Sequence, residues 1–220
     1  MATEPSSILA VVNTGDDAVL HGLHVSPDVD TVVYTLASAI DPGRGWGLAD
    51  ETWRAMGALA RYAAARPVDS AAGATWFNLG DQDLATHLYR TGRLAEGATL
   101  SAVTDEIRRA WGVAAEIVPM TDDAVRTVVT VDEDVDGAGA GDEISFQDYF
   151  VRLRHAPRVR SVRFDGAASA APTFLSALDG PVVIAPSNPV VSIGPIRALP
   201  GVEAALAANR HRTVAISPIV

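Results

Sequence analysis

The chain has 220 residues, enough for one domain with a sizeable core, since single domains run to about 100–200 residues. An apolar share of 48 % with 20 % charged residues excludes a disordered tail, and no apolar run approaches the roughly 18 residues of a membrane-spanning helix, so no membrane partner is expected. With 17 basic against 27 acidic residues the net charge is −10, which repels a phosphate backbone and argues against nucleic acid as a partner.

In chain order, Met1 to Val12 carries Glu4 and no basic residue before a short apolar run, so it does not read as a signal peptide, and the expected compartment is the cytoplasm. The β-branched run Ile8–Val12, closed by Asn13-Thr-Gly-Asp-Asp17, reads as a buried strand feeding a polar loop. Ala18–Val25 reads as a strand. Ser26-Pro27-Asp28 supplies an N-cap, a proline at the first helical position and an acid in the first turn, so a helix is expected over 27–39. After the glycine-rich loop Asp41–Gly47, Asp50 is the expected cap of a second helix through Trp53, Met56, Leu59 and Tyr62. Residues 66–74 read as a surface insertion. Third and fourth helices should start near Gly80-Asp81 and Ser101, the fourth burying Val103, Ile107 and Trp111. Strands are expected over 115–119, 125–131, 159–164, 182–185 and 214–216, small helices near 171–178 and 200–208, and an exposed acidic loop over 132–142. Strands alternating with helices predict a single α/β domain over 1–220, Rossmann-like, with a largely parallel sheet flanked by helices and ligands beyond the carboxyl ends of its strands.

Every basic residue is arginine and there is no cysteine. That removes Schiff-base chemistry, the P-loop lysine, thiol catalysis and cysteine-ligated metal sites, leaving Asp, Glu, His, Arg, Ser, Thr or a hard metal ion. Asp16-Asp17 and Asp28-Asp30 form the densest acidic grouping, one pair at a strand end and the other at a helix start. If a returning loop joins them they would suit Mg²⁺, which takes oxygen ligands and bridges to phosphates; capping by Asp28 and solvated turn acids is the competing reading. His21 and His24 have no third zinc ligand at a fitting spacing, and no Gly-x-Ser-x-Gly elbow occurs. The turn Ala185–Pro195 could hold a phosphate or a purine edge on its backbone N–H groups, or serve only as a stiff connection. Arg152, Arg154, Arg158, Arg160 and Arg163 read more readily as a salt-bridged strand face than as a phosphate channel.

Seven stretches in order, Asn13–Asp17, Ser26–Thr31, Gly45-Trp-Gly47, Asn78–His87, Pro119–Asp122, Phe146-Gln147 and Pro186–Pro195, resemble the 2-phospho-L-lactate transferases of coenzyme F-420 biosynthesis, in particular the actinobacterial phosphoenolpyruvate transferases. The resemblance covers essentially residues 8–219. It implies transfer of a phosphoenolpyruvyl or 2-phospho-L-lactyl group from a guanosine diphosphate-linked donor to the ribityl hydroxyl of a deazaflavin acceptor, with release of GMP and with Mg²⁺ as cofactor. By position it makes Asp16 and Asp30 the catalytic carboxylates and Asp16, Asp17, Asp28 and Asp30 the metal ligands. Asp30, Asn78, Asp81 and His87 fall on the deazaflavin side, Asn78 standing where relatives often carry Lys or Glu. Ser187, Asn188, Ser192 and Gly194 fall on the nucleotide side. Relatives begin with a further strand and glycine-rich loop and continue beyond the region of Val220, so the first strand of the sheet is expected to be missing here. A shortened, non-catalytic binder of nucleotide or deazaflavin, as in the regulatory sugar-nucleotide-binding branch, is the competing functional expectation. A homodimer, as relatives form, is left open.

Overall fold

The computed structural model describes residues 4–67, 70, 72, 75–135 and 137–218, so the insertion expected at 66–74 lies partly outside the described residues. Strand β1 (Leu9–Val12) runs parallel to β4 (Glu116–Pro119), with Leu9 opposite Glu116 and Val12 opposite Pro119. Parallel neighbours need a long crossover. It is supplied by α1 (Pro27–Leu36), α2 (Arg54–Leu59), α3 (Asp83–Ala95) and α4 (Leu100–Ala110). Val29 and Val33 of α1, Val103 and Ile107 of α4, and Val12 and Ile117 of the strands make one buried core, capped by Tyr34 edge-on to Trp111. The helix-period apolar stripes read from the sequence are therefore the faces that cover this parallel pair.

The segment read as one strand at 18–25 is a hairpin, β2 (Ala18–Leu20) and β3 (Leu23–Val25), because His21 and Gly22 both take positive φ (54° and 79°) and close a two-residue turn. The second helix is also started differently. Asp50 sits at φ 54°, and it is Asp81, arriving from the approach to α3, whose carboxylate accepts from the Arg54 and Ala55 amides at 2.9 Å each. Helix α4 is capped by the Thr99 hydroxyl oxygen, which accepts from the Ala102 amide at 3.2 Å, while Asp122 accepts from the Ser101 amide at 2.7 Å.

In the second half β5 (Arg126–Val131), β6 (Glu143–Ser145) and β7 (Val159–Asp165) form an antiparallel sheet in the order β6-β5-β7. This departs from a uniformly parallel arrangement because the acidic loop between β5 and β6 is too short to carry a crossover helix. Strands β8 (Val182–Ile184) and β9 (Thr213–Ala215) form a second parallel pair, connected through α5 (Ile193–Arg197) and α6 (Val202–Ala208). Met120, Val125, Phe174, Leu199 and Val202 build the core beneath them, with Leu9 and Val11 of β1 packed against it. The fold is thus mixed α/β with parallel pairs flanked by helices, and β1 and β8 each have one hydrogen-bonded neighbour among the described strands. Arg160 and Arg163 on β7, and Arg158 just before it, pair with Asp132, Glu143 and Glu133, a salt-bridged strand face. Arg152 pairs with Asp148 in the preceding helical turn.

Candidate functional site

The loop leaving β1 at its carboxyl end is buried from Val12 to Asp16, unusual for so polar a stretch, and each polar group has to be accounted for. Asn13 does most of the fastening. Its Oδ1 accepts from the Gly15 amide at 2.8 Å, and its Nδ2 donates to Asp16 Oδ2 at 3.2 Å and to Asp28 Oδ2 at 3.0 Å. One carboxamide therefore joins the two acidic pairs that the sequence keeps apart. Ser26, the expected cap of α1, makes no capping bond; its hydroxyl donates instead to Asp17 Oδ2 at 2.7 Å. A helix-starting residue has been turned toward the acidic loop. From the other side the Thr127 amide donates to Gly15 O at 2.7 Å, and Gln147 Nε2 to Asp16 O at 2.9 Å.

Gly15 has no room for a side chain. A methyl group there would come within 2.7 Å of the Thr127 hydroxyl and 3.2 Å of Pro195, so the turn ending at Pro195 packs directly on the acidic loop. Within that turn Asn188 spends its carboxamide on the Val190 and Val191 amides, at 2.9 and 3.1 Å, and its main-chain carbonyl accepts from the Ser192 and Ile193 amides. Gly194 lies against Phe164, where a methyl group would come within 2.8 Å of the ring. Of this turn it is Pro195 that meets the Asp16 loop; Ser187, Asn188, Ser192 and Gly194 are not among the residues lining the two clefts beside that loop.

The electrostatics of the acidic loop are strained. Burial, then the Asp28 charge, push Asp16 up to about 7, against the pull of the Thr127 hydroxyl, which lies close without reaching bonding geometry, and of Asn13. Burial pushes Asp17 up to about 8, opposed by the Ser26 hydrogen bond and the Arg90 charge. Asp28 is also raised, again by burial. Asp16 Oδ1, Asp17 Oδ1 and the Thr14 hydroxyl are buried without a hydrogen-bond partner. Asp16 and Asp28 meet at Asn13, and Asp16 and Asp17 each keep an oxygen that could go to a hard cation, but among the described residues the acidic group whose ligand atoms lie within 4.8 Å of one another is Asp30, Asp83 and His87, so the structure does not close the expected carboxylates into one donor set.

Asp30 is differently placed. Both of its oxygens accept from Arg90, with Nη1 to Oδ2 at 3.1 Å, and His87 Nδ1 lies 3.6 Å from the same carboxylate. His87 Nε2 faces Asp83 at 3.3 Å, and the Tyr34 hydroxyl donates to Asp83 at 2.6 Å. Burial raises Asp83, but the hydrogen bond and charge of His87 bring it below the ordinary carboxylate range. Asp30, Asp83 and His87 offer ligand atoms within 4.8 Å of one another, yet the guanidinium on both Asp30 oxygens already supplies the positive charge there. Of the other expected site residues, Asp81 is engaged in starting α2, and Asn78 is exposed on the approach to α3. His21 and His24 are both exposed on the hairpin.

Two clefts flank the acidic loop. The larger, about 420 Å³, runs from Thr14, Asp17 and His24 past Leu94 and Leu100 to Asp122 and Arg126. The smaller, about 320 Å³, is lined by Gly15, Asp16, Phe146, Gln147 and Arg163. Asp17, Ala18 and Arg126 belong to both. Asn13, Ser26 and Gln147 lie in the stretches that carried the family resemblance. Arg90 and Arg126 do not. Arg90 left one trace in the sequence, the spacing of Asp83, His87 and Arg90 that places them on one helix face. Among the described residues no helix is long and apolar enough to cross a membrane.

Compared with known proteins, the chain matches the family described as 2-phospho-L-lactate transferase CofD over residues 1–220. It is 46 % identical over 215 residues to the phosphoenolpyruvate transferase of Mycobacterium bovis (strain BCG / Pasteur 1173P2), a match covering 96 % of this chain and 62 % of that protein. It is 45 % identical over 222 residues to the phosphoenolpyruvate transferase of Mycobacterium leprae, covering 99 % of this chain and 64 % of the relative. The chain thus spans less than two thirds of the length of these relatives. Among solved structures, a UPF0052 family protein from Bacillus halodurans aligns with TM-score 0.52 at 16 % identity, over 91 % of this chain and 57 % of that one. Another crystal structure of a Bacillus halodurans protein aligns with TM-score 0.55 at 16 % identity, over 95 % of this chain and 60 % of that one, a likeness of fold.

Proposed function

The chain belongs to the 2-phospho-L-lactate transferase CofD family, and from that premise we propose that it transfers a phosphoenolpyruvyl or 2-phospho-L-lactyl group from a guanosine diphosphate-linked donor to the ribityl hydroxyl of a deazaflavin, releasing GMP. The observation supporting this reading is the buried Asp16, joined to the half-buried Asp28 by Asn13 and followed by Asp17 on Ser26, with uncommitted oxygens on Asp16 and Asp17 beside two clefts.

In this reading Asp16, Asp17 and Asp28 would supply oxygen ligands to Mg²⁺, and Asp30 anchors the first turn of α1 through Arg90. The bound cation would neutralise diphosphate charge and the charge that develops on the leaving phosphate. The acceptor oxygen forms a new bond to the phosphorus that carries the lactyl or enolpyruvyl group, the bond from that phosphorus to the GMP oxygen breaks, and the hydroxyl proton leaves to a carboxylate of the trio. The apolar wall of Leu94, Leu100 and Val125 suits the flat deazaflavin, and the smaller cleft, with Thr127, Ser145 and Gln147 in its lining, suits the diphosphate. The Ser187–Gly194 turn, packed on Gly15 through Pro195, would meet the guanosine side.

The test is GMP release by the purified chain with the guanosine donor, the deazaflavin and Mg²⁺, with the mass of the deazaflavin product followed in parallel. Asp16→Asn should lower turnover at least about 100-fold, in the range expected when a transition-state contact is lost. An unchanged rate in that variant rejects the reading. Binding of donor and acceptor with no GMP released favours the non-catalytic alternative.

A further inference from the structure

We propose that Arg126 is the phosphate-binding residue of this site, donating to the diphosphate oxygens of the donor from the junction of the two clefts. The inference rests on the functional reading above and adds a residue to which neither the sequence motifs nor the family resemblance gives a role.

Three observations carry it. Arg126 lines both clefts, and it shares that position with Asp17 and Ala18. Among the described residues no carboxylate forms an ion pair with it, and its guanidinium makes one protein hydrogen bond, Nη1 to Val125 O at 3.0 Å. Arg163, the other arginine of the smaller cleft, is taken by Glu143 at 2.8 Å and Asp165 at 2.9 Å. In addition, the backbone at this point is tied to the acidic loop, since the next residue's amide donates to Gly15 O at 2.7 Å. An exposed guanidinium with most of its donors unspent thereby lines both clefts together with Asp17.

Charge complementarity favours such a residue. A diphosphate approaching Asp16, Asp17 and Asp28 meets like charge, a single divalent cation offsets only part of it, and the chain has no lysine. Arginine's planar fork matches phosphoryl oxygens two at a time and keeps its proton.

The probe is inorganic pyrophosphate, titrated calorimetrically into the full chain with and without Mn²⁺, with Mn²⁺ uptake followed separately by electron paramagnetic resonance. Arg126→Met should weaken pyrophosphate binding at least about tenfold, and Arg126→Lys should recover part of that loss. Arg160→Met, on the neighbouring strand and paired with Asp132, should leave it unchanged. Mn²⁺ uptake without pyrophosphate should be the same in Arg126→Met as in the wild-type chain, which also shows that the variant is folded. Wild-type protein that takes up Mn²⁺ but binds pyrophosphate equally well without Arg126 overturns the assignment and leaves the cation reading standing. Wild-type protein that takes up no Mn²⁺, yet loses pyrophosphate in Arg126→Met, overturns the cation reading and supports the assignment. No pyrophosphate binding by the wild type overturns the assignment.

Discussion

Replacing Arg90 by methionine removes the cation from the most deeply buried ion pair in the described chain. Its side chain is 0 % exposed and that of Asp30 6 % exposed, and the guanidinium also donates to His24 O at 3.4 Å. Methionine fills much of the volume but leaves the Asp30 carboxylate without its charged partner, and breaking a buried pair in this way costs about 3–5 kcal/mol. Against a total stability of roughly 5–15 kcal/mol for a domain, that is a large share. Removing both charges, as in Asp30→Leu with Arg90→Met, strands neither, and such apolar replacements of buried pairs are close to neutral or better. Urea unfolding followed by circular dichroism should therefore show Arg90→Met lowering the midpoint strongly at unchanged slope, with the double variant regaining most of the loss. The damage should also reach the site, because the anchored turn of α1 carries Ser26 and Asp28, which hold Asp17 and Asn13. If Arg90→Met lies within about 1 kcal/mol of wild type, or the double variant is as poor as the sum of the single ones, the pair is not the anchor described.

Gly15→Ala places a methyl group 2.7 Å from the Thr127 hydroxyl, an overpacking expected to cost about 1–3 kcal/mol and to abolish Mn²⁺ uptake by forcing the acidic loop off Thr127; a crystal structure of the variant with the loop unmoved would contradict this. The pH dependence has a definite sign. Asp16 and Asp17 bind protons more tightly folded, at about 7 and 8, than at their ordinary 3.8, so without divalent cation their contribution makes the melting temperature fall as pH rises from about 4 to 8. Saturating Mg²⁺ should raise the melting temperature most at the upper end of that window. A cation-free melting temperature that climbs steadily through it would show that these carboxylates are not held protonated.

How much of the fold the sequence displays depends on whether each signal is local. Helices α1 and α4 are legible because their apolar residues recur on one face and those faces are the ones buried. The β2–β3 turn is not, because His21-Gly22 lacks the Asn-Gly or Asp-Gly form that marks such a turn, although it adopts the same positive φ values. The start of α2 misleads for a different reason. Asp50 is near in sequence, but the acceptor is Asp81, 27 residues beyond the Arg54 amide it receives, and no window-based reading reaches that far. Strands β5 and β7 are legible as strands, whereas the three-residue β6 between them is not, and with it the short acidic connection that makes β5 and β6 antiparallel.

The site divides along the same line. The acids themselves stand out by type, and the bonds from Asn13 to Asp16 and Asp28 bring together two clusters separated in the chain. Arg90 was hidden by a sound rule, that a helix face bearing Asp83, His87 and Arg90 is normally solvated. It is buried here because α1 brings Asp30 against it, a fact of packing between two helices and not of either one alone. Arg126 was hidden by its neighbours, since it opens an apolar run that reads only as a strand. A lysine-free chain that buries several carboxylates together must place its arginines with care. One behind the acidic loop, ion-paired with Asp30, keeps the helix turn in register while its charge also reaches Asp17. One in front, left unpaired, is the charge a phosphorylated substrate could use; ion-pairing it internally would stabilise the empty chain at the expense of binding.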